Sequence, residues 1–557
     1  MKTISEIRPG AYFDSVVLMQ LQRSLAELHG VDDAGVVMAT PANLELLADA
    51  ELLTKEGKEA QPDDLLIVVR AEKEKDAAAA IEQVDDLLQK RRSRTSHEFR
   101  PHSLEAAAKQ LPEADWVLIS VPGRYAAGVA QEALDLGKHV FLYSDNVSLE
   151  DEIELKTVGL ERGLLVMGPD CGTAIVNGVG LGFANRLRRG NIGLVGASGT
   201  GLQAITTQIH NSGGGVSQAI GTGGRDLKAK VGGMTAMQAL DLLSRDDETD
   251  VIVLVSKPPD STVATRLIGQ AMACGKPVVV DFIGYPPPAH QIGNLHFATG
   301  LSEAGDLAVR LSNRDKGTKS KDGSGRSGYV RGLFSGGTLA YEAMLALQPF
   351  LTPLYSNVPI SEHQLIDDPL NSEKHSILDL GEDIFTVGRL HPMMDNDLRL
   401  RRMRQEAADQ ETSMILFDVV LGEGSHADPT AELAEEINSI KKDRDDIIWG
   451  AIVVGTDEDP QGTQKQIERL SESGVEVYRS TQSAATFIAE NFTNDEYFSG
   501  KPVEIEGLYK PLAAINVGLE SFHDSLKEQG AESVHVEWRP PAGGNEDLMD
   551  ILAKMRS

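Results

Sequence analysis

Cysteine is almost absent from this chain: only Cys171 and Cys274 occur in 557 residues, in unrelated contexts. Two separated thiols exclude a disulfide framework and a cysteine-rich zinc cluster, and no metal site is expected. Positive charge is scarce as well. Fifty-three Lys and Arg stand against 84 Asp and Glu, for a net charge of −31. A nucleic-acid backbone would be repelled by that balance, so nucleic acid is excluded as a partner. No apolar run approaches the roughly 20 residues that span a bilayer. Met1-Lys2-Thr3-Ile4-Ser5-Glu6 also lacks the apolar stretch of a signal peptide. These absences lead to the expectation of a cytoplasmic protein with no membrane attachment.

What is present is a globular composition, 41% hydrophobic and 25% charged, on a length that predicts three to five domains. The dominant feature is a module that occurs twice. Strand-like Ile192–Val195 runs into Gly196-Ala197-Ser198-Gly199-Thr200-Gly201, and Val330–Phe334 runs into Ser335-Gly336-Gly337-Thr338. Each copy then offers a loop with arginine among glycines, Gly221-Thr222-Gly223-Gly224-Arg225-Asp226 and Asp379–Asp383 through Gly388-Arg389. Each continues into another apolar strand, Val251–Val255 and Met414–Val420. A duplicated strand–turn–helix unit of this kind points to phosphate-bearing ligands.

Around the repeats, residues 11–95 read as a small α+β unit with strands Val36–Ala39 and Leu65–Arg70 and helices Val16–His29, Leu44–Leu53 and Ala77–Gln89. A ferredoxin-like layer is expected there. Residues 102–187 alternate strands and helices, which predicts a parallel, doubly wound sheet. The hydrophilic run 312–327 reads as a linker. Strands are also predicted at Leu512–Val517 and Val534–Trp538. The expected domains are 1–100, 101–187, 188–311 and 328–557, the last carrying a carboxy-terminal extension.

Ser198, Gly199 and Thr200 fall where a strand ends and a helix begins, so free N–H groups and the helix dipole favour an anion. The alternative is that Ser198 or Thr200 only caps its helix. Ser335, Gly336, Gly337 and Thr338 carry the same two readings. Arg225 and Arg389, with Gly223 and Gly224, suit a bidentate grip on phosphate or carboxylate, or else a salt bridge to Asp226, Glu382 or Asp383. His391 is a candidate acid/base or phosphate donor, or a capping histidine. His426 and His296 carry weaker claims, Lys257 reads as solvated, and Cys171 as a buried thiol. No Walker A lysine or Gly-x-Ser-x-Gly elbow accompanies the turns.

These motifs resemble a known superfamily. Ser120-Val121-Pro122, Gly168-Pro169-Asp170, Ser198-Gly199-Thr200 and Gly221–Asp226 are similar to the α subunit of succinyl-CoA synthetase and related acyl-CoA synthetases. Residues 328–495 resemble the second flavodoxin-like ligase domain of that superfamily. Over nearly its full length the chain resembles the FdrA family, through Thr40-Pro41-Ala42-Asn43, Leu164–Thr173, Gly223–Leu227, Val255–Pro259, Leu378–Gly381, Thr386–Met393 and Pro541–Asn545. The resemblance implies a Rossmann-like CoA-binding-type domain, two flavodoxin-like synthetase-type domains and the small ferredoxin-like unit.

The synthetases carry phosphoryl on a histidine within Gly-His-Ala-Gly-Ala; here the stretch reads Gln291-Ile292-Gly293-Asn294-Leu295-His296-Phe297. The glutamate that follows their Ser-Gly-Thr turn is also missing, since Gly201-Leu202-Gln203-Ala204 stands there. No segment is left over for an ATP-grasp domain. The FdrA resemblance implies one subunit of an oxamate carbamoyltransferase in allantoin catabolism, acting on carbamoyl phosphate and oxamate with separately encoded partner subunits, as an oligomer and without a cofactor. The runner-up is an acyl-CoA synthetase that borrows an ATP-grasp partner and uses CoA and nucleotide. A non-catalytic scaffold is the third expectation.

Overall fold

The computed structural model describes residues 1–9, 15–61, 64–85, 87, 100–285, 287, 289–313, 326–492 and 498–540. The linker and Pro541–Asn545 therefore fall wholly or mostly outside the described residues. The chain forms two compact units, residues 1–121 with 513–528 and 532–557, and residues 122–512 with 529–531.

The first unit begins with β1 (Lys2–Arg8), α1 (Ser15–Ala26), β2 (Val31–Met38), α2 (Pro41–Asp49), β3 (Leu65–Ala71) and α3 (Glu74–Glu82). β3 lies between β1 and β2 and runs antiparallel to both, the split βαβ arrangement of a ferredoxin-like layer. Leu65, Ile67 and Val69 pack against Leu18, Leu25, Ala77 and Ile81, while Leu66 and Val68 pack against Leu47 and Leu52. Cover on both faces explains why this strand is a continuous apolar run instead of alternating. β1 is an addition to the predicted elements, paired with β3 along its whole length. The predicted helix Ala77–Gln89 extends partly outside the described residues.

The same unit holds α4 (Leu104–Gln110) and β4 (Trp116–Ile119). β4 pairs in parallel with Ala513–Val517, which pairs in parallel with Glu532–Val536. The two last strands were expected as an extension of the second repeat; the sheet pairing puts them with β4 instead. Ser120 explains part of this choice, because its Oγ accepts from Leu519 N at 2.7 Å. Ala513–Val517 is buried throughout, so it needs cover on both faces that a free extension would lack.

The second unit starts with α5 (Gly123–Asp135), β5 (His139–Leu142), α6 (Leu149–Arg162), β6 (Val166–Met167), β7 (Thr173–Val176) and β8 (Val179–Gly182). The first repeat follows as β9 (Arg189–Gly196), α7 (Gly199–Asn211), β10 (Val216–Gly221), α8 (Met234–Arg245), β11 (Val251–Ser256), α9 (Ser261–Ala273), β12 (Val278–Phe282), β13 (Gln291–Ile292), β14 (Leu295–Phe297) and α10 (Leu301–Ser312). The second comprises β15 (Tyr329–Phe334), α11 (Gly337–Leu347), β16 (Leu354–Ser356), β17 (His375–Asp379), α12 (Asp397–Ala408), β18 (Thr412–Val420), α13 (Pro429–Ile440), β19 (Ile448–Val454), α14 (Thr463–Glu472), β20 (Val475–Tyr478) and α15 (Thr481–Phe492), with a single helical turn at Asp383–Thr386.

Both repeats have one topology. Strands β10-β9-β11-β12-β14 form a parallel core, and β17-β15-β18-β19-β20 form its counterpart. Each is the 2-1-3-4-5 order of a flavodoxin-like sheet, whose ligand edge lies at the carboxyl ends of the strands. The core strands are buried along nearly their whole length, as expected of sheets covered by helices on both faces. The expected α/β class, with a small amino-terminal unit, is the observed one.

Candidate functional site

The duplicated turns superpose through their sheet registers, and the superposition shifts the sequence alignment by one residue. Gly196 stands opposite Val255 in β11, and Leu333 stands opposite Phe417 in β18, which sets Phe334 beside Asp418. The helices begin at Gly199 and Gly337, capped by Ser198 and Gly336. The structural equivalents are therefore Ser198 with Gly336, Gly199 with Gly337 and Thr200 with Thr338. Ser335 corresponds to Ala197 and not to Ser198.

The first turn is open. Ser198 Oγ accepts from Gly201 N at 3.2 Å, so its hydroxyl is a helix cap. Thr200 is exposed and Gly199 is partly so. A Cβ placed on Gly199 would meet nothing nearer than Thr173 Oγ1 at 3.5 Å. The first turn of α7 presents backbone N–H groups at this end of the helix. A helix terminus of this kind favours an anion.

The second turn is filled. Asp418, fully buried, accepts from Ser335 N at 2.8 Å, from Ser335 Oγ at 2.9 and 3.0 Å, and from Gly336 N at 3.0 Å. Its charge is balanced by buried Arg399, whose Nη1 lies 3.6 Å from Oδ1 and also donates to the Asp418 carbonyl. Asp379 adds a second carboxylate: a Cβ on Gly337 would lie 2.6 Å from its Oδ2. Burial raises the Asp379 pKa, and Glu382 and Asp418 push it the same way. The expectation that Ser335, Gly336, Gly337 and Thr338 cradle phosphate is thus corrected. The internal carboxylate already takes Ser335 N and Gly336 N, and its charge repels another anion.

The two arginines divide the other way. Arg225 Nε donates to Glu152 at 2.8 Å and Nη2 to the Val147 carbonyl at 2.9 Å. The salt-bridge alternative holds for it, with Glu152 as partner in place of the neighbouring acids. Behind it, buried Lys156 donates to Glu152 at 2.9 Å, Asp226 at 2.7 Å and the Thr222 carbonyl at 2.9 Å. Asp226 also accepts from Thr235 N and Ala236 N at the start of α8. The Gly221–Asp226 loop is thereby locked, and Gly223 is required in it: its φ is +86°, and a Cβ would strike the Pro169 carbonyl at 2.4 Å. Gly224 stays exposed at the loop tip. Arg389 is exposed and its side chain makes no hydrogen bond or ion pair among the described residues.

His391 accepts from Met393 N at 3.2 Å through Nδ1. A Cβ on Gly381 would lie 2.9 Å from His391 Nε2 and 3.0 Å from Asp379 Oδ1. His391 therefore joins the acidic second turn. His296 is buried in β14, as its strand-like setting implied. Lys257 is exposed, and burial pushes the Cys171 thiol up to about 12, which makes it inert. One residue escaped the sequence reading. His290 is exposed in the loop between β12 and β13, and its charge acts on Glu303 at the start of α10. Its position after the fourth strand was the available signal.

Comparison with known proteins fits this architecture. Residues 333–489 match the family model of a CoA-ligase, and residues 188–284 match that of a CoA binding domain. The second match covers the first repeat and its open turn. YahF, an uncharacterized protein of Escherichia coli K12, is 42% identical over 505 residues, covering 87% of this chain and 98% of YahF. The chain belongs to the YahF family. More distant relatives are ligase subunits. Subunit α1 of the ADP-forming succinate–CoA ligase of Archaeoglobus fulgidus is 30% identical over 35% of this chain and 69% of its own length. Subunit SauD of the ADP-forming sulfoacetate–CoA ligase of Bilophila wadsworthia is 26% identical over 34% of this chain and 65% of its own. Residues 1–103 match the model described as AllF, heavy metal-associated domain. No cysteine occurs in residues 1–103, and the described residues bring no three His, Cys, Asp or Glu together; the donor set does not fit a thiophilic metal. No helix among the described residues is long and apolar enough to cross a membrane.

Proposed function

We propose that this chain is the acyl-phosphate-handling subunit of an enzyme built on the acyl-CoA ligase scaffold, with its phosphate held by the first repeat. The observation that carries this reading is the open helix terminus at Ser198, Gly199 and Thr200, against the filled one at Gly336. Backbone N–H groups there would stabilise charge on a departing phosphate. If CoA or a nucleotide binds, the same turn is the one that fits its phosphates, and the group would supply an acyl-accepting thiol or a phosphoryl donor.

In the specific form we favour, the chain is an FdrA-type subunit of an oxamate carbamoyltransferase, acting in purine-ureide breakdown. Phosphate and oxalurate would exchange for carbamoyl phosphate and oxamate, with partner subunits completing an oligomeric enzyme. The burial of His296 in a strand supports a reaction with no phosphohistidine at that position. The test is carbamoyl phosphate formation from oxalurate and phosphate by the chain together with its partners, without nucleotide or CoA. Absence of product with all partners present rejects this form.

The exposed His290 favours a second reading, an acyl-CoA ligase served by a separate ATP-grasp chain. The ligase-type relatives support it too. Intact mass after incubation with ATP, Mg²⁺ and that chain would show one added phosphoryl group, lost in His290→Asn.

A further inference from the structure

Asp281 is a buried carboxyl group on the ligand edge of the first repeat that has no partner. It is 2% exposed in β12, and its Oδ2 makes no hydrogen bond. Register places it in line with the open turn: Gly196 is opposite Val255, and Val255 is opposite Asp281. Val255 and Val279 pack on the sheet face covered by α7 and α10, against Leu202, Ile205 and Ala304. Strand alternation puts Asp281 on that same face. It therefore lies two strands from the start of α7, about 10 Å across the sheet. In the second repeat the equivalent of Asp281 is Ile452, opposite Asp418. In the first repeat the buried carboxyl stands one strand further from the turn than Asp418 does in the second.

We propose that Asp281 is the specificity-determining residue for the acyl end of a phosphate-bearing ligand anchored at Ser198–Thr200, its carboxyl group hydrogen-bonding the ligand's carbonyl end. This rests on the anion site proposed above. An acyl phosphate has a phosphate at one end and a carbonyl at the other, and with a hydrogen bond at each end it reaches on the order of the 10 Å between the start of α7 and Asp281. A neutral acid can stand beside an anion, whereas a carboxylate would repel it. Burial holds the Asp281 pKa above the ordinary carboxylate range, and Glu303 of α10 pushes it further up. The other titratable groups on the neighbouring elements are Lys257 after β11, Tyr285 and His290 after β12, His296 of β14, and Asp306 and Arg310 of α10; α7 carries none before His210, and β11 none.

The experiment is calorimetric titration of the full chain with acetyl phosphate and, separately, with inorganic phosphate. Wild-type protein should bind acetyl phosphate more weakly as the pH rises and Asp281 ionises. Asp281→Val should raise the acetyl phosphate Kd about tenfold and change that of phosphate less than about twofold. Asp281→Asn, which donates at every pH, should keep the affinity and lose the pH dependence. An unchanged thermal midpoint, or a raised one after removal of an unpartnered buried acid, excludes a folding defect. Equal weakening of both ligands by Asp281→Val, or no weakening of either, overturns the role of Asp281 alone. Failure of phosphate to bind the wild type removes the anion site, and the proposal with it.

Discussion

The two repeats share a strand order, a glycine turn and a helix at the same place, yet their turns are chemically opposite. In the first, Val255 lies beside the turn and its carbonyl accepts from Ala197 N at 3.1 Å; in the second, Asp418 occupies that place and its carboxylate takes Ser335 N and Gly336 N. Ser198 caps its helix with its own hydroxyl, whereas Gly336 has no side chain to cap with and Asp418 reaches across from the next strand. One buried carboxylate thus makes the second turn a structural joint, and the first turn has none at that place. Duplication of a binding motif is therefore no evidence for two sites. The residue on the neighbouring strand decides.

The largest effect should come from breaking the joint. Asp418→Ala leaves Ser335 N and Gly336 N without their acceptor and the buried Arg399 guanidinium without its counter-charge. Removing one partner of a buried pair costs about 3–5 kcal/mol. Urea unfolding followed by Trp449, buried in β19, should show that loss in the second repeat. A loss below about 1 kcal/mol would mean that water replaces the carboxylate and that the joint is not structural.

The amino ends of the two sheets differ in the same sense, and pH should separate them. His375 Nδ1 accepts from Val330 N at 3.0 Å, which only the neutral ring does at that atom. Burial, and then Arg331, depress its pKa from 6.5 to about 4. The unfolded chain takes up the proton near 6.5 and the folded chain only near 4. Stability of the second repeat is therefore full above that window and falls as the pH drops through it, by at most about 3 kcal/mol. The matching end of the first repeat carries the neutral hydroxyl pair Ser217–Thr249 at 2.6 Å, so the contrast should appear in native-state hydrogen exchange at pH 7 and 4.5. His375→Asn should flatten the dependence.

Much of this contrast was only half legible in the sequence. Apolar strands alternating with helices gave the sheets, because each parallel strand must be apolar on both faces. The turns were found by their glycines, but Ser198-Gly199-Thr200 and Ser335-Gly336-Gly337-Thr338 invited alignment on serine. Only the sheet register shows that Ser335 belongs with Ala197. Asp281 and Asp418 each stand alone in an apolar strand, Val278-Val279-Val280-Asp281-Phe282 and Leu416-Phe417-Asp418-Val419; a lone charge in such a run was a usable signal. The partnership of Arg225 with Glu152 and the pairing of Ala513–Val517 with β4 had no local signal. They join segments that meet only in the folded chain.

Grafting the second arrangement onto the first should close the open turn. Val255→Asp places a carboxylate where Asp418 stands, beside Ser198 N, while Ala197 N is already held by the Val255 carbonyl at 3.1 Å. Phosphate affinity should fall at least about tenfold, which is about 1.4 kcal/mol, with a further loss of stability because no arginine corresponding to Arg399 is present. Calorimetric titration with phosphate is the measurement. Unchanged binding would show that phosphate does not use the α7 terminus.

The smallest change tests what the Ser198 hydroxyl is for. Its Oγ is committed to Gly201 N, so its replacement should be felt as a lost cap. Ser198→Ala should cost about 1 kcal/mol and Ser198→Gly, which copies Gly336, only a few tenths. The backbone N–H groups of α7 survive both substitutions. Phosphate affinity should accordingly stay within about threefold in the glycine variant, since a helix terminus binds anions through its main chain. A tenfold loss in Ser198→Gly with unchanged stability would reverse the assignment: the hydroxyl would then contact the ligand itself, and the first turn would differ from the second by a binding side chain as well as by the absence of Asp418.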